Sequence, residues 1–102
     1  SFTVTSVFTF RVESTFDEWA AIFDSKEAAR RHREFNIQPL YRGCSDNDPQ
    51  KIIVIHQHPE GNIEKFLEAN EVWMASHRVD LSTMEKSAWI WTDNKSVQFK
   101  AP

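Results

Sequence analysis

Three residues with functional side chains recur at helical spacing in the second half of the sequence. Asn70, Trp73 and His77 are separated by three and four positions, so one face of a helix would carry all of them. In an apolar interior an imidazole can move a proton, an amide can orient a carbonyl or phenol, and an indole can stack on an aromatic ring. We therefore predict His77 and Asn70 as catalytic residues and Trp73 as a ligand contact. In the alternative interpretation, Asn70 and His77 only satisfy backbone groups near the helix end.

Two more side chains are candidates for ligand contact. Trp19 lies on the apolar stripe of the first predicted helix, which faces the protein interior. Arg42 falls on a predicted strand, where its guanidinium could neutralise a ligand carboxylate or pair with an acid across a subunit interface. The interface salt bridge is the simpler role for Arg42.

A cluster of histidines suggests a metal site. His56 and His58 are two positions apart on a predicted strand, so both side chains project from one face. The predicted topology brings His32 to the same end of the sheet, and three imidazoles would suit zinc or another first-row metal. However, His58 directly precedes Pro59 at a strand exit, which allows it to face solvent. We therefore predict no metal and no other cofactor, and keep the three histidines only as candidate ligands.

The single cysteine and the scarcity of glycine exclude several kinds of chemistry. Cys44 cannot form an internal disulfide, lacks the surroundings of an activated thiol, and is expected to pack as a small residue. The two glycines of the chain cannot build a phosphate-binding loop or a nucleophile elbow. A reducing compartment, and hence the cytoplasm, fits this composition.

Length and charge restrict the class of protein and its partners. A chain of 102 residues can bury one hydrophobic core, so we predict a single domain over residues 1–102. The 12 basic and 15 acidic residues give a net charge of -3, which argues against a nucleic-acid partner. The sequence contains no apolar run of the ~20 residues that a membrane helix needs, so no membrane partner is expected.

The first half of the chain predicts a strand followed by a broken helix. Apolar residues alternate over residues 2–12, which is typical of a strand with one buried face. Thr15 and Glu18 form a capping box that opens a helix, and Asp24 and Glu27 repeat the pattern. We therefore expect a second helical segment to start after Asp24.

Two strands and a turn are predicted next. The strand over residues 37–45 should lie at a sheet edge, because Pro39 has no backbone N–H to donate. Residues 46–49 favour a turn. The following strand, residues 51–58, is apolar on both faces, so both faces should be buried.

The last third predicts one helix and one or two strands. Asn62 is the expected cap of a helix that ends near residue 77. A loop then leads to a strand over residues 87–92, with Trp89 and Trp91 on one face and Ala88 and Ile90 on the other. Residues 97–100 could form a fifth short strand or a tail that docks on a partner.

The order β-α-β-β-α-β predicts an α+β fold of the ferredoxin-like type, with both helices on one face of an antiparallel sheet. The other face is then uncovered. Trp89 and Trp91 share one face of the last strand, so we expect the uncovered face to avoid water and to form a homodimer. The alternative is a monomer whose C-terminal tail folds back over the sheet.

Several segments of the chain resemble the dimeric α/β-barrel superfamily, which includes antibiotic-biosynthesis monooxygenases, haem-degrading monooxygenases and stress-responsive barrel proteins. The likeness spans nearly the whole chain and is greatest to a small bacterial domain family of unknown function within that superfamily. This resemblance implies a fold and a dimeric barrel but no activity. The segments that carry it are FDEWAAIFDSKEAARRHREFNI, PLYRG, DPQKIIVIHQ and EANEVWMASH.

The resemblance does not extend to haem degradation. The haem-degrading members use an Asn on the first strand together with a Trp and a His from the second-helix region. Residues 2–12 contain no Asn, and Asn70, Trp73 and His77 are all assigned to one helix.

Three functions remain open from the sequence. The leading hypothesis is a small dimeric protein that binds a small apolar or aromatic molecule in a cavity between helices and sheet. The second is a cofactor-independent monooxygenase-like or isomerase-like enzyme, with His77 as acid or base and Asn70 and Arg42 as orienting groups. The third is a structural or regulatory module without a ligand. The first two require a pocket of ~300 Å³ or more.

Overall fold

A computed structural model of the protein describes residues 2–90. Within that range no helix has the length and apolar character needed to cross a membrane. Trp91 and the expected fifth strand at 97–100 lie outside the described residues. The elements are β1 (Thr3–Val12), α1 (Phe16–Phe23), α2 (Lys26–Glu34), β2 (Gln38–Ser45), β3 (Asp48–Pro59), α3 (Asn62–Ser76) and β4 (Val79–Ile90).

The four strands form one antiparallel sheet in the order β2-β3-β1-β4. The two strands that begin and end the first β-α-β unit are not neighbours, since β3 lies between them. This order confirms the predicted α+β ferredoxin-like fold. β2 is an edge strand, as expected from Pro39, whose missing N–H removes one ladder bond. The dimeric barrel remains a prediction.

The core forms between the helices and one face of the sheet. Every second residue of β1 is buried, from Val4 through Val12, and the same alternation on β3 buries Ile52 and Val54. The apolar stripes of the helices add Trp19 and Phe66 to this core. The period-two and helical patterns of the sequence therefore converge on one layer of packed side chains.

The caps of the helices were predicted with mixed success. The Thr15 hydroxyl accepts a hydrogen bond from the backbone N–H of Glu18 at 3.1 Å, which confirms the first cap. The cap of α2 is Ser25, whose hydroxyl accepts from the N–H of Ala28 at 3.1 Å, so the prediction of Asp24 was wrong by one residue. Asp24 is the C-cap that follows α1 and keeps helical backbone angles, whereas an N-cap residue must leave the helical region.

α3 begins without a side-chain cap. Gly61 occupies the N-cap position with φ of 83°, a left-handed conformation that glycine adopts without steric cost. Asn62, the predicted cap, is the first helical residue, and its side-chain amide donates to the carbonyl of Phe35 at 2.7 Å. This bond attaches the start of α3 to the end of α2.

β4 starts at Val79, eight residues before the predicted strand. The expected loop is instead an irregular stretch of strand, with a register shift opposite Thr9 and Arg11 of β1. There the hydroxyl of Thr83 accepts a hydrogen bond from the backbone N–H of Arg11 at 2.8 Å. A side chain thus replaces a backbone partner in the ladder. The polar residues of this irregular segment were therefore interpreted as a loop and not as a strand.

The face of the sheet opposite the helices, here called the open face, is partly apolar. Ile53 and Ile55 of β3 are half-buried at its centre. Tyr41 pairs beside Ile55 on the edge strand and is 57% exposed, and Trp89 on the other edge is 62% exposed. β3 is therefore apolar on both faces as predicted, but only the helix-facing side is fully buried within one chain.

Candidate functional site

A cavity of about 60 Å³ lies between the helices and the sheet. All elements except β2 contribute to its wall, and among the described residues its only polar lining groups are His32, His56 and His77. The remaining lining side chains are aliphatic, aromatic or methionine. The cavity is well below the ~300 Å³ expected for a pocket that binds a drug-sized ligand.

Trp19 is packed into the wall of the cavity. It is 5% exposed and lies between two phenylalanine rings, with Phe23 stacked at 4.9 Å and Phe10 edge-on at 5.8 Å between ring centres. The predicted ligand-contact residue therefore lines the cavity as part of a packed aromatic wall. Such offset and edge-on contacts are the geometries that aromatic pairs favour.

His56 is the least satisfied polar group of the cavity wall. The residue is 6% exposed, and within residues 2–90 neither ring nitrogen has a hydrogen-bond partner. Burial, followed by repulsion from His32 and His58, lowers the pKa of His56 to about 3. The ring is therefore neutral near pH 7, with one N–H donor and one acceptor nitrogen unused. A buried group left in this state costs about 1–3 kcal/mol.

His32 lies beside His56 with its donor already used. Its Nδ1 is 2.6 Å from the carbonyl oxygen of Ala28, and the residue is 4% exposed. Since a carbonyl can only accept, Nδ1 carries the hydrogen and Nε2 has the free lone pair. The ring centres of His32 and His56 are 5.2 Å apart. Burial lowers the pKa of His32, so this imidazole is also held neutral.

His58 is buried, contrary to the expected solvent-facing position. It is 3% exposed, its Nδ1 donates to the carbonyl of Pro59 at 2.8 Å, and its Nε2 accepts from the hydroxyl of Ser6 at 2.7 Å. Alternation on β3 directs it to the same face as His56. Because both of its nitrogens are occupied, it does not complete a three-histidine cluster, and residues 2–90 contain no group of three or more His, Cys, Asp or Glu arranged to hold a metal.

Trp73 and His77 line the cavity from α3. Both are half-buried, so they lie where the cavity approaches the surface. Their rings meet edge-on at 5.2 Å, and the guanidinium of Arg31 lies 4.8 Å from the Trp73 ring centre. The predicted spacing thus brings two of the three helix residues to the cavity, and their roles remain predictions.

Asn70 is 3% exposed but does not line the cavity. Its side-chain oxygen accepts from Arg31 at 2.7 Å, and its side-chain nitrogen donates to the carbonyl of Phe66 at 2.9 Å. Both ends of the amide are therefore occupied by the protein. This arrangement agrees better with the alternative interpretation, in which the amide satisfies a backbone group, than with an orienting role toward a ligand.

Arg42 lies away from the cavity. Its guanidinium makes a two-pronged ion pair with Asp24 at 2.8 and 2.6 Å and lies 5.6 Å from the ring centre of Phe16. Arg42 is paired in register with Val54, so its side chain is on the helix-facing side of the edge strand, next to the end of α1. Its partner in the structure is an acid of the same chain, and its contact with a ligand carboxylate or with an acid across an interface stays a prediction.

Two features of the site were missed in the sequence. Ser6 occupies the apolar face of β1 between Val4 and Phe8, and a hydroxyl in that position indicates a buried polar partner, which is His58. No local sequence pattern indicates the hydrogen bond from Arg31 to Asn70, because the two residues are 39 positions apart. Cys44, expected to pack, is exposed.

The comparisons with known proteins concern the fold. A family profile described as "Domain of unknown function (DUF3764)" matches residues 3–91. No curated protein matches the sequence.

Solved structures share the architecture at low sequence identity. A NIPSNAP family protein from Agrobacterium tumefaciens has a TM-score of 0.62 and 12% identity, covering 94% of this chain and 99% of its own. A protein provisionally assigned as an antibiotic biosynthesis monooxygenase from Bordetella bronchiseptica has a TM-score of 0.60 and 10% identity, covering 90% and 99%. The cofactor-independent oxygenase SnoaB from Streptomyces nogalater has a TM-score of 0.51 and 14% identity, covering 95% and 98%. At these identities the likeness concerns the fold alone.

Proposed function

The chain belongs to the DUF3764 family, a domain family of unknown function, and we propose that it binds a small apolar or aromatic molecule in the cavity between its helices and sheet, as a homodimer. The observation that carries the proposal is the cavity itself, which is walled mainly by apolar and aromatic side chains from the six elements other than β2. Apolar cavities stay dry and accept apolar guests.

The size of the cavity restricts the ligand. A volume of about 60 Å³ is below the ~150 Å³ of a cavity that holds benzene, so a ring-sized ligand must displace side chains. Met74, Met84 and Leu67 line the cavity and are only half-buried. Methionine has three rotatable bonds and adapts to irregular space at low cost. We expect these residues to move when a ligand enters.

Binding is tested with toluene as the probe and heteronuclear NMR of the methionine methyl groups as the readout. We expect saturable shifts of Met74 and Met84 in the full chain. Leu67→Trp fills the cavity and should abolish the shifts, whereas Val72→Trp, on the 82% exposed outer face of the same helix, should leave them unchanged. Absence of saturable shifts in the unmodified protein, or equal shifts in both variants, would contradict the proposal.

The homodimer is proposed through the open face. Ile53, Ile55 and Val7 form an apolar centre that one chain only half-buries, and Tyr41 and Trp89 extend it to both edges. A second copy can cover this surface symmetrically.

The dimer is tested by sedimentation of the full chain. We expect twice the mass of one chain, and we expect Ile55→Glu, at the centre of the open face, to give single chains. Val72→Glu, on the outer face of α3, should remain dimeric. A single-chain mass for the unmodified protein would refute the dimer and favour the alternative in which the C-terminal tail covers the sheet.

The enzyme alternative is not favoured over binding. His77 lies at the half-buried part of the cavity wall, where proton transfer would be feasible. Its two proposed orienting groups are bonded elsewhere, Asn70 to Arg31 and Arg42 to Asp24.

We also propose a cytoplasmic location, without nucleic-acid or membrane partners. The single thiol, Cys44, is exposed, which suits a reducing compartment. The net charge of -3 supports the absence of a nucleic-acid partner.

A further inference from the structure

Building on the proposed binding function, we propose that the ligand carries an uncharged hydroxyl group, phenolic, enolic or alcoholic, that enters the cavity beside His32 and His56 and bonds to both imidazoles. The inference rests on which hydrogen-bonding groups of the two rings are used and which are free. It also rests on the absence of charged side chains from the lining formed by the described residues.

His32 can only accept a hydrogen bond from a ligand. Its Nδ1–H is committed to the carbonyl of Ala28 at 2.6 Å, so Nε2 offers a lone pair and no hydrogen. The ring is fixed on its other sides by Phe66, at 4.6 Å, and Phe23, at 5.5 Å between centres. The position of the lone pair is thus set by packing before any ligand arrives.

His56 can both donate and accept. Neither of its nitrogens has a partner within residues 2–90. The residue as a whole is only 6% exposed. Phe8 lies edge-on at 5.7 Å and Phe23 at 6.2 Å between ring centres, so hydrocarbon rings cover it on these two sides. Its cross-strand partner, Ser6, is already bonded to His58. The ring centres of His32 and His56 are 5.2 Å apart, so no atom fits between the rings, but a hydroxyl oxygen beside them can approach a nitrogen of each.

A hydroxyl matches this pair better than a charged group does. Its oxygen can accept the N–H of His56 while its hydrogen is donated to Nε2 of His32. A carboxylate would lack a cationic partner, and an ammonium would lack an anionic one, because the polar lining residues are all histidines. Either ion would then carry an uncompensated desolvation cost.

The test compares phenol with toluene, which have the same shape and differ by a hydroxyl in place of a methyl group. Dissociation constants of both are measured by NMR titration for the unmodified chain, for His56→Phe, and for Glu71→Ala on the exposed side of α3 as a matched control. The hydrogen bond to His56 should favour phenol by about tenfold in the unmodified chain relative to His56→Phe, which keeps only the bond to His32. Glu71→Ala should retain the preference.

A second measurement uses only the unmodified chain, in case His56→Phe does not fold. Phenol should shift the ring-nitrogen resonances of both His32 and His56, and toluene should shift neither. Equal phenol-to-toluene ratios in the unmodified chain and His56→Phe would overturn the hydroxyl inference and leave the binding function intact. Ring nitrogens that are already hydrogen-bonded in the free protein and unchanged by phenol would show that water occupies the position and would also overturn it. Failure of both probes to bind would overturn the binding function itself.

Discussion

Arg31 on α2 donates a hydrogen bond of 2.7 Å to the side-chain oxygen of Asn70 on α3. The same guanidinium donates a second hydrogen bond, of 2.8 Å, from Nε to the carboxylate of Glu27 on its own helix. It also lies over the ring of Trp73. One cation therefore connects the two helices that flank the cavity. Asn70, which the sequence marks as a catalytic candidate, acts in the folded chain as the acceptor of this connection.

The first prediction concerns Asn70. Asn70→Ala should lower the free energy of unfolding by about 2 kcal/mol, because it removes two hydrogen bonds from a buried site. Urea denaturation measures the loss, with Glu71→Ala at an exposed position as control. A double-mutant cycle with Arg31→Ala should show less than additive losses. Strict additivity would indicate that the bond contributes nothing to stability.

The second prediction concerns acid. The pKa of His56 is about 3 in the folded chain and about 6.5 unfolded. Below pH ~6.5 this histidine binds a proton in the unfolded chain but not in the folded chain. Its contribution to the free energy of unfolding is therefore fully present above that pH and is lost as the pH decreases toward 3. Between pH ~7 and ~5 we expect a loss of about 2 kcal/mol from this residue, and His32 should add to it in the same direction.

Urea denaturation at both pH values measures that loss. His56→Phe keeps an aromatic ring and removes the titrating group, so its stability should depend less on pH. Identical pH slopes for the variant and the unmodified chain would contradict the lowered pKa.

The third prediction concerns the buried pair of Ser6 and His58. Ser6→Ala should cost about 1–3 kcal/mol, since Nε2 of His58 would lose its only donor in the described structure. Thr3→Ala, at an exposed position of the same strand, should cost much less. Nitrogen NMR should also find the hydrogen of His58 on Nδ1, where it faces the carbonyl of Pro59. Finding it on Nε2 would refute this arrangement.

The fourth prediction separates Arg42 from the cavity. Arg42→Ala removes an ion pair whose side chains are 34% and 51% exposed, so stability should change by less than about 1 kcal/mol. Toluene affinity should be unchanged, and Asp24→Ala should behave in the same way. Loss of binding in a folded Arg42→Ala chain would restore its predicted role as a ligand contact.

The sequence predicted elements whose pattern is local. The alternation of apolar residues predicted β1, and Pro39 predicted that β2 lies at the sheet edge. Both signals depend only on neighbouring residues and on the backbone. The cap at Thr15 was found for the same reason. Asp24 and Ser25 were confused because both residue types cap helices; in the folded chain Ser25 is the cap, and the Asp24 carboxylate binds the guanidinium of Arg42.

The site was predictable only in part, since its geometry depends on contacts between elements. Helical spacing brought Trp73 and His77 to the cavity, and strand alternation placed His56 inside. The approach of His32 followed from topology. What spacing could not show is which of these groups already has a partner: His58 is satisfied by Ser6 and Asn70 by Arg31, whereas His56 has none among the described residues.

Gly43 on the edge strand has a consequence for evolution and engineering of the open face. A Cβ placed on it would lie 2.9 Å from the Tyr41 hydroxyl and 3.2 Å from the ring, closer than side chains tolerate, so the Tyr41 ring rests over a residue that has no side chain. Even Gly43→Ala would displace the Tyr41 ring and change the shape of the open face. A mutational scan that truncates side chains would overlook this position, although it determines how Tyr41, the single tyrosine of the chain, is presented on the sheet.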